Sequence, residues 1–177
     1  MRWEALFSDL RAQSAAQQQE TFEAEVAEAV GLAWSRTPLS DRVRAHIGHR
    51  LTLHLDGGAV MSLRVGEVGG NWLSGSTVAQ AWLIPTAAVM TVTGLSRRAQ
   101  SEASPSQQRL GIGAPLRVLA AAREPVVVHG GNGTLTEGVL IGVGADFIDI
   151  RSATESKEIR TVPMHALIGV CSTVEPQ

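Results

Sequence analysis

The fold is decided by LTLHLDGGAVMSLRVGEVGGNWL at residues 51–73, because its layout returns as VVVHGGNGTLTEGVLIGVGADFI at residues 126–148. The two stretches align at an offset of 75 positions without a gap, and His54 then coincides with His129. Few positions are identical, but turn glycines and apolar residues stay in step along the whole length. This shared order predicts an internal duplication.

Each copy has the pattern of short strands joined by tight turns. Apolar residues alternate with polar ones over residues 51–55, as in a half-buried strand, and Asp56-Gly57-Gly58 is a strong hairpin signal. More strand-like segments follow in each copy. A hairpin that is three residues longer in the second copy, at Ala153–Glu158, restores the alignment so that Pro85 meets Pro163. We therefore expect five strands in each copy.

Helices are predicted outside the repeats. Apolar residues from Trp3 to Leu10 follow the i, i+3, i+4, i+7 spacing of one helical face. The spacing resumes at Phe22, and Gly31 is predicted to end this helix or to start its unwinding. Shorter helices are expected at Leu39–Ile47 and Pro115–Ala122, one before each copy. The predicted fold class is α+β, with N-terminal helices followed by two tandem five-stranded β-barrels, each preceded by a short helix.

The predicted domain organisation has four parts. A stretch rich in Ser, Gln and Arg between the two copies is typical of an exposed, mobile linker. The parts are an N-terminal helical segment at 1–37, a first small barrel with its leading helix at 38–95, the linker at 96–113, and a second small barrel with its leading helix at 114–173.

The aromatic residues are predicted to pack. Trp72 and Phe147 occupy equivalent repeat positions and are expected to be matched core residues of the two barrels. The aromatic residues of the N-terminal helix are expected to pack within the core or between helices rather than to bind a ligand. They are Trp3, Phe7, Phe22 and Trp34.

A short helix followed by five strongly bent strands resembles the Sm-like and SH3-like small barrels. Residues 136–150 and 160–168 carry this resemblance. Starting from MRWEALFSDL at residues 1–10, the whole chain also resembles a family of uncharacterised actinobacterial proteins, some labelled Fis-type transcriptional regulators. This resemblance implies tandem small barrels and no established activity. A Fis-like protein would end in a basic helix-turn-helix, whereas the C-terminal third here is strand-like and mildly acidic.

The chain departs from RNA-binding Sm proteins at the residues that hold RNA. Where that family has an Asn after the start of its third strand, this chain has Leu73 and Ile148. Where the family has an Arg-Gly pair, this chain has Thr93-Gly94 and Cys171-Ser172. The resemblance therefore does not carry a uridine pocket over to this chain.

Composition excludes several classes of protein for this chain. The net charge of −2 gives no overall attraction to nucleic acid or to an anionic membrane. One cysteine, Cys171, excludes an intrachain disulfide bond and is expected to be a buried structural thiol. Glu4 and Asp9 interrupt any signal-peptide pattern, and no apolar run reaches the length of a membrane span. We expect a cytoplasmic protein with no membrane contact.

No pattern points to catalysis. The glycine-rich segments lack the Walker lysine and the strand–GxGxxG–helix context, and no nucleophile elbow, HExxH or pair of apolar carboxylates is found. His46 and His49 have the spacing of a metal-binding pair on a helix, but no third ligand follows at fixed spacing. We therefore interpret His46 and His49 as part of a helix-to-strand junction. The protein is therefore predicted not to be an enzyme, with no catalytic residue, cofactor, metal or small-molecule substrate.

Basic residues concentrate in the middle of the chain. Residues 35–112 carry eight basic and four acidic groups, whereas residues 1–34 carry two basic and six acidic groups. These arginines are candidate contacts for a phosphate backbone or an acidic partner, or they form a solvated face. They are Arg42, Arg44, Arg50, Arg64, Arg97, Arg98 and Arg109.

The sequence is compatible with two functions. The first is a protein-interaction or assembly module, because small barrels have open strand edges, through which the two barrels could pair with each other or with another chain. Its partner would be a protein, either a second copy or another chain. The alternative is a nucleic-acid-binding regulator of RNA or DNA that uses the basic middle region. The scarcity of aromatic residues, 4% of the chain, disfavours stacking on single strands.

Overall fold

The computed structural model of the chain describes residues 2–153 and 158–173. The chain divides into two compact units, Met1–Pro38 and Leu39–Gln177. The first unit contains the N-terminal segment. The division also places both repeat copies and the linker between them in one unit.

The first unit contains one helix, α1 (Arg2–Ser35). The helix continues through Gly31, so the predicted end there is wrong; an internal glycine costs a helix only about 1 kcal/mol relative to alanine. Phe22 and Trp34, which were predicted to pack, are largely exposed. The side chains of Trp3 and Phe7 lie outside the described part of the structure.

The second unit is α+β, and ten antiparallel strands form one sheet that is not closed. The short helix α2 precedes the first five strands, and α3 and α4 precede the last five. The bounds are α2 Leu39–Arg44, β1 Arg50–Leu55, β2 Val60–Val68, β3 Trp72–Ser76, β4 Gln80–Pro85, β5 Val89–Thr93, α3 Pro105–Gln108, α4 Gly113–Ala122, β6 Pro125–Gly130, β7 Gly133–Val143, β8 Phe147–Ser152, β9 Ile159–Pro163 and β10 Gly169–Thr173.

The strand order supports the predicted duplication. Along the sheet the order is β5-β1-β2-β3-β4-β10-β6-β7-β8-β9, which is one five-strand order repeated twice. The pairing registers repeat as well: Leu53 pairs with Val92 in the first half, and Val128 pairs with Val170 in the second. Residues paired in one half are therefore equivalent to residues paired in the other. We call residues 39–95 the first half and residues 113–173 the second half.

Turn chemistry explains where the strands begin and end. Gly57 and Gly58 adopt positive φ after β1, and the amide of Gly57 donates to the Asp56 carboxylate at 2.8 Å. The long hairpin strands β2 and β7 each contain a register shift, near Val65 and Leu140. Such irregularities bend a strand, and both halves bend at equivalent places. Of the predicted longer hairpin, residues 154–157 lie outside the described part.

Two hydrophobic cores form, and each draws residues from both halves. The first contains the predicted alternating leucines of β1, together with Ile168 from the second half. The second contains Leu116 of α4 and the apolar face of β6, together with Trp72 and Leu83 from the first half. The two halves therefore share their cores and form one unit.

The prediction that Trp72 and Phe147 are matched core residues is wrong for Phe147. Trp72 is 6% exposed, whereas Phe147 is 37% exposed. The indole N–H of Trp72 donates to the Leu110 carbonyl at 2.9 Å, and the segment before α4 covers this ring. Among the described residues, no equivalent segment covers Phe147, which therefore stays at the surface.

The linker between the halves is attached to the first half. The amide of Gln100 donates to the Asp41 carbonyl at 2.9 Å, and the amide of Ile112 donates to the Asn71 side chain at 2.9 Å. Ile112 is itself buried in the second core. These bonds determine where α4 begins relative to the first half.

Candidate interaction surfaces

The two halves join through one pair of strands. β4 of the first half pairs with β10 of the second, with Leu83 opposite Val170 and Trp82 opposite Cys171. We call this strand pair the seam. The seam joins two five-stranded sheets into one sheet of ten strands. The backbone N–H and C=O groups of one edge strand of each half are therefore hydrogen-bonded within the molecule.

Side chains cross the seam in both directions. Ile168, just before β10, is 6% exposed and packs into the first core. Leu83, on β4, packs into the second core. Because each half contributes to the core of the other, the seam is an apolar interface as well as a backbone ladder.

A cluster of Trp82, His129 and Cys171 lies beside the seam. The rings of Trp82 and His129 lie 4.9 Å apart, and the Cys171 sulfur lies 3.5 Å from His129 Nε2. Burial raises the pKa of the Cys171 thiol, and a backbone hydrogen bond from Val127 only partly offsets this. Burial also lowers the pKa of His129. Both shifts favour a neutral thiol and a neutral imidazole, whereas a nucleophilic Cys–His pair requires the thiolate. The cluster therefore acts in packing.

The two outer strands of the sheet are the equivalents of the two strands at the seam. β5 is the counterpart of β10, and β9 is the counterpart of β4. In the described part of the chain, neither β5 nor β9 has a partner on its outer side. We call them the open edges. The sheet therefore ends, on each side, in the type of strand that pairs at the seam.

Exposure differs sharply between equivalent residues at the seam and at the open edges. Met90, on β5, is the counterpart of Ile168 and is 66% exposed, against 6% for Ile168. Ile159, at the start of β9, is also exposed. Since large apolar side chains gain free energy when they are removed from water, the open edges carry apolar groups that pairing would bury.

An apolar cleft of about 420 Å³ opens at the seam. Trp72 and Trp82 line it on the side of the first half, and Val118 and Leu119 of α4 line it on the other. Glu67 and Cys171 also line the cleft. This lining is suited to packing against apolar groups and lacks the paired acid and base of a hydrolytic site.

The predicted arginines do not form one surface. Arg50 and Arg64 lie directly opposite each other on β1 and β2, and both are exposed. Neither guanidinium group makes a hydrogen bond or an ion pair with the described residues. Like charges that face each other across strands are destabilising, so this pair is an exposed, uncompensated positive site.

Arg44 is unavailable as an exposed contact. Its guanidinium is 6% exposed, forms an ion pair with Asp41, and lies 3.5 Å from the Glu102 carboxylate. It also donates to the carbonyl of Val68 at 3.2 Å. Arg44 therefore ties α2 to β2 and to the linker.

The other predicted arginines lie nearer the surface. Arg42 donates to the Ser96 carbonyl at 3.1 Å, next along the chain to the exposed Arg97 and Arg98. Arg109 is exposed in the linker, after α3. Arg42, Arg97 and Arg98 thus share one neighbourhood, whereas Arg109 lies on another part of the linker.

His46 uses both ring nitrogens within the protein. Its Nδ1 lies 2.7 Å from the Arg42 carbonyl, and its Nε2 accepts from the amide of Ser96 at 3.0 Å. The neighbouring His49 makes an edge contact with this ring. The His46–His49 pair therefore secures the junction between α2 and β1. In the described part of the chain, no three His, Cys, Asp or Glu side chains come together as metal ligands.

No protein-family model matches the chain, and no curated protein matches it. Among the described residues, no helix is both long enough and apolar enough to cross a membrane. Inference about function therefore depends on the geometry alone.

Sequence reasoning allowed the two barrels to pair through their strand edges, but it did not identify the strands or the residues that form the seam. Ile168 and Met90 are aligned in the repeat. Because both are apolar, the sequence did not indicate that one would be buried and the other exposed. The pairing of β4 with β10 joins strands separated by more than eighty positions. The only available signal was the duplication itself, because two equivalent halves have compatible edges.

Proposed function

We propose that this chain is a non-enzymatic assembly protein, built from two tandem small barrels of the Sm-like or SH3-like kind, that binds a protein through its open strand edges. The repeated five-strand order and the matching bends in β2 and β7 support the two-barrel description. The observation that carries the function is the difference between the seam and the open edges. The seam uses one strand of each type, and among the described residues another strand of each type has no partner on its outer side.

The open edges have features of a binding edge. An unpaired strand presents backbone N–H and C=O groups that another strand can complete. Met90 on β5 and Ile159 on β9 add apolar surface. Arg160 on β9 also restricts indiscriminate pairing, because a charged side chain on an edge strand disfavours aggregation. An edge with both features favours a specific partner.

Glutamate at either open edge is expected to abolish partner binding. Full-length chain carrying Met90→Glu or Ile159→Glu would be used to capture proteins from nuclease-treated extract of the source cells. At least one protein retained by the wild type is expected to be lost with each edge variant, because pairing would bury the new carboxylate. Since both positions are exposed, the free energy of unfolding is expected to change by less than about 0.5 kcal/mol.

Val78→Glu is the matched control for this capture experiment, because Val78 is exposed in the turn between β3 and β4. It adds the same charge away from both open edges. If the edge variants and the control retain the same proteins as the wild type, the proposed function is wrong.

Nucleic-acid binding is the second candidate, and Arg50 and Arg64 favour it. Two exposed guanidinium groups on neighbouring strands would each gain a counter-charge from phosphate oxygens. Arg42, Arg97 and Arg98 form a separate group of positive charge along α2 and the start of the linker. The acidic groups Asp41 and Glu102 are already paired with Arg44 and do not neutralise Arg50 and Arg64.

The double variant Arg50→Ala/Arg64→Ala tests this candidate. If the chain binds total cellular RNA or sheared DNA, affinity is expected to fall about tenfold at 50 mM salt, and the slope of log affinity against log salt should shrink by about 1.4–1.8. Arg117→Ala/Arg151→Ala removes the same charge from exposed residues of the second half and should change affinity much less. No binding by the wild type at low and moderate salt, or an equal loss in the two double variants, would exclude the candidate.

A further inference from the structure

The apolar cleft at the seam has the size of a site for a small organic molecule. One wall contains Trp72 and Trp82 of β3 and β4, and the other contains Val118 and Leu119 of α4. Its volume of about 420 Å³ lies in the range typical of ligand sites. Val118 is 69% exposed, although a large apolar side chain gains free energy when it leaves water. A ligand with an apolar group would supply this burial.

The two walls of the cleft are held together by hydrogen bonds. Leu110 of the linker also lines the cleft, and its carbonyl accepts from the indole N–H of Trp72 at 2.9 Å. The amide of Ile112 donates to the Asn71 side chain at 2.9 Å, and Ile112 is buried in the second core. These contacts fix the start of α4 against β3. A ligand would therefore enter a preformed cleft, which lowers the entropy cost of binding.

The charge around the cleft is negative and uncompensated. Among the described residues that line it, Glu67 is the single charged one. Glu67 is exposed, and its carboxylate makes no hydrogen bond or ion pair with the described residues. Arg44 and Glu67 both line a smaller neighbouring cleft, but the Arg44 guanidinium is already paired with Asp41 and Glu102. Arg44 therefore does not neutralise Glu67.

The polar groups of the lining favour a cation over an anion. The indole N–H of Trp72 is bound to the Leu110 carbonyl, and the Ser74 hydroxyl accepts from the amide of Glu67 at 2.7 Å. These two groups are therefore engaged within the protein. Indole rings attract cations more strongly than the other aromatic side chains do. A cation at this cleft would have a carboxylate as its counter-ion, whereas an anion would be repelled by it.

We propose that the cleft at the seam binds a small aromatic amine in its protonated form. The aromatic group would pack between the two tryptophans and α4, and the ammonium group would lie toward Glu67. This site is separate from the open edges, so the inference goes beyond the proposed function and does not depend on it. Its residues come from both halves and from the linker, so no sequence motif indicates the site.

Three naphthyl compounds of similar size test the charge of the ligand: naphthylethylamine, naphthylethanol and naphthylacetate. Two-dimensional NMR of the full chain follows the indole N–H signals of Trp72 and Trp82 at neutral pH and low salt. The amine is expected to shift both signals with a Kd on the order of 0.1–1 mM. Its affinity should exceed that of the alcohol about fivefold, because only the amine gains a counter-charge and a cation–π contact. The acetate should bind most weakly.

Val118→Lys tests the place of binding. The substitution removes an apolar contact from α4 and adds a positive charge to the cleft, so the affinity for naphthylethylamine is expected to fall about tenfold. Val60→Lys is the matched control, because Val60 is also exposed, at the start of β2, and does not line the cleft. The control should bind the amine like the wild type.

Glu67→Gln tests the counter-ion. The amide keeps the size of the side chain and removes its charge, so the affinity for naphthylethylamine is expected to fall about threefold at low salt. The affinity for naphthylethanol should stay unchanged. Glu25→Gln on α1 removes the same charge from an exposed residue of the first unit and is expected to leave both affinities unchanged.

The inference has three outcomes that would overturn it. The first is a wild type in which none of the three compounds shifts the Trp72 or Trp82 signal up to about 10 mM. The second is equal or tighter binding of the alcohol or the acetate, since the cleft would then select a neutral or anionic ligand. The third is a Val118→Lys variant that keeps its affinity for the amine, because the ligand would then bind elsewhere. None of these outcomes affects the capture experiment with the open edges.

Discussion

Replacing Ile168 by alanine should lower the free energy of unfolding by about 3 kcal/mol, whereas Met90→Ala should change it by less than about 0.5 kcal/mol. The two positions are equivalent in the repeat, and both carry a large apolar side chain. Ile168 is 6% exposed and packs into the first core, but Met90 is 66% exposed. The truncation leaves a cavity only at the buried position.

Urea unfolding followed by circular dichroism measures this difference. Both substitutions should be made in an Ile159→Glu background, so that pairing between copies does not add to the apparent stability. Equal losses at the two positions would mean that Met90 is buried in solution within a single chain. Equally small losses would mean that the seam does not hold the halves together.

Replacing Arg44 by alanine is the second large expected effect, with a loss of about 3 kcal/mol in the free energy of unfolding. The guanidinium is buried between the carboxylates of Asp41 and Glu102 and donates to the Val68 carbonyl. Its removal leaves two partly buried negative charges and an unpaired acceptor. Arg44→Lys is expected to recover little of the loss, because an ammonium cannot reproduce the branched donor geometry.

Arg50→Ala is the matched control for Arg44, since Arg50 is exposed and unpaired among the described residues. Its free energy of unfolding should change by less than about 0.5 kcal/mol, or rise slightly as repulsion from Arg64 is relieved. The same denaturation measurement compares the two variants. If Arg44→Ala costs no more than Arg50→Ala, the buried ion pairs do not hold α2 and the linker to the sheet.

The candidate site could be anticipated only in part. The concentration of arginines in residues 35–112 was visible in the sequence, but the residue type alone does not distinguish the buried Arg44 from the exposed Arg50. The difference depends on Asp41 and Glu102, and Glu102 approaches only because the linker returns to α2. Phe147 shows the same limit, because its exposure depends on whether a neighbouring segment covers the ring.

The sequence by itself determined the repeated five-strand pattern, the turn at Asp56-Gly57-Gly58 and the equivalence of residues 75 positions apart. These properties depend on side-chain alternation and backbone preferences, which act over a few residues. Only the tertiary structure decided that β4 pairs with β10, so that one pair of equivalent edges is joined and the other pair is left open. Backbone hydrogen bonding does not depend on side-chain identity, so the choice of edge follows from how the two halves pack and share their cores.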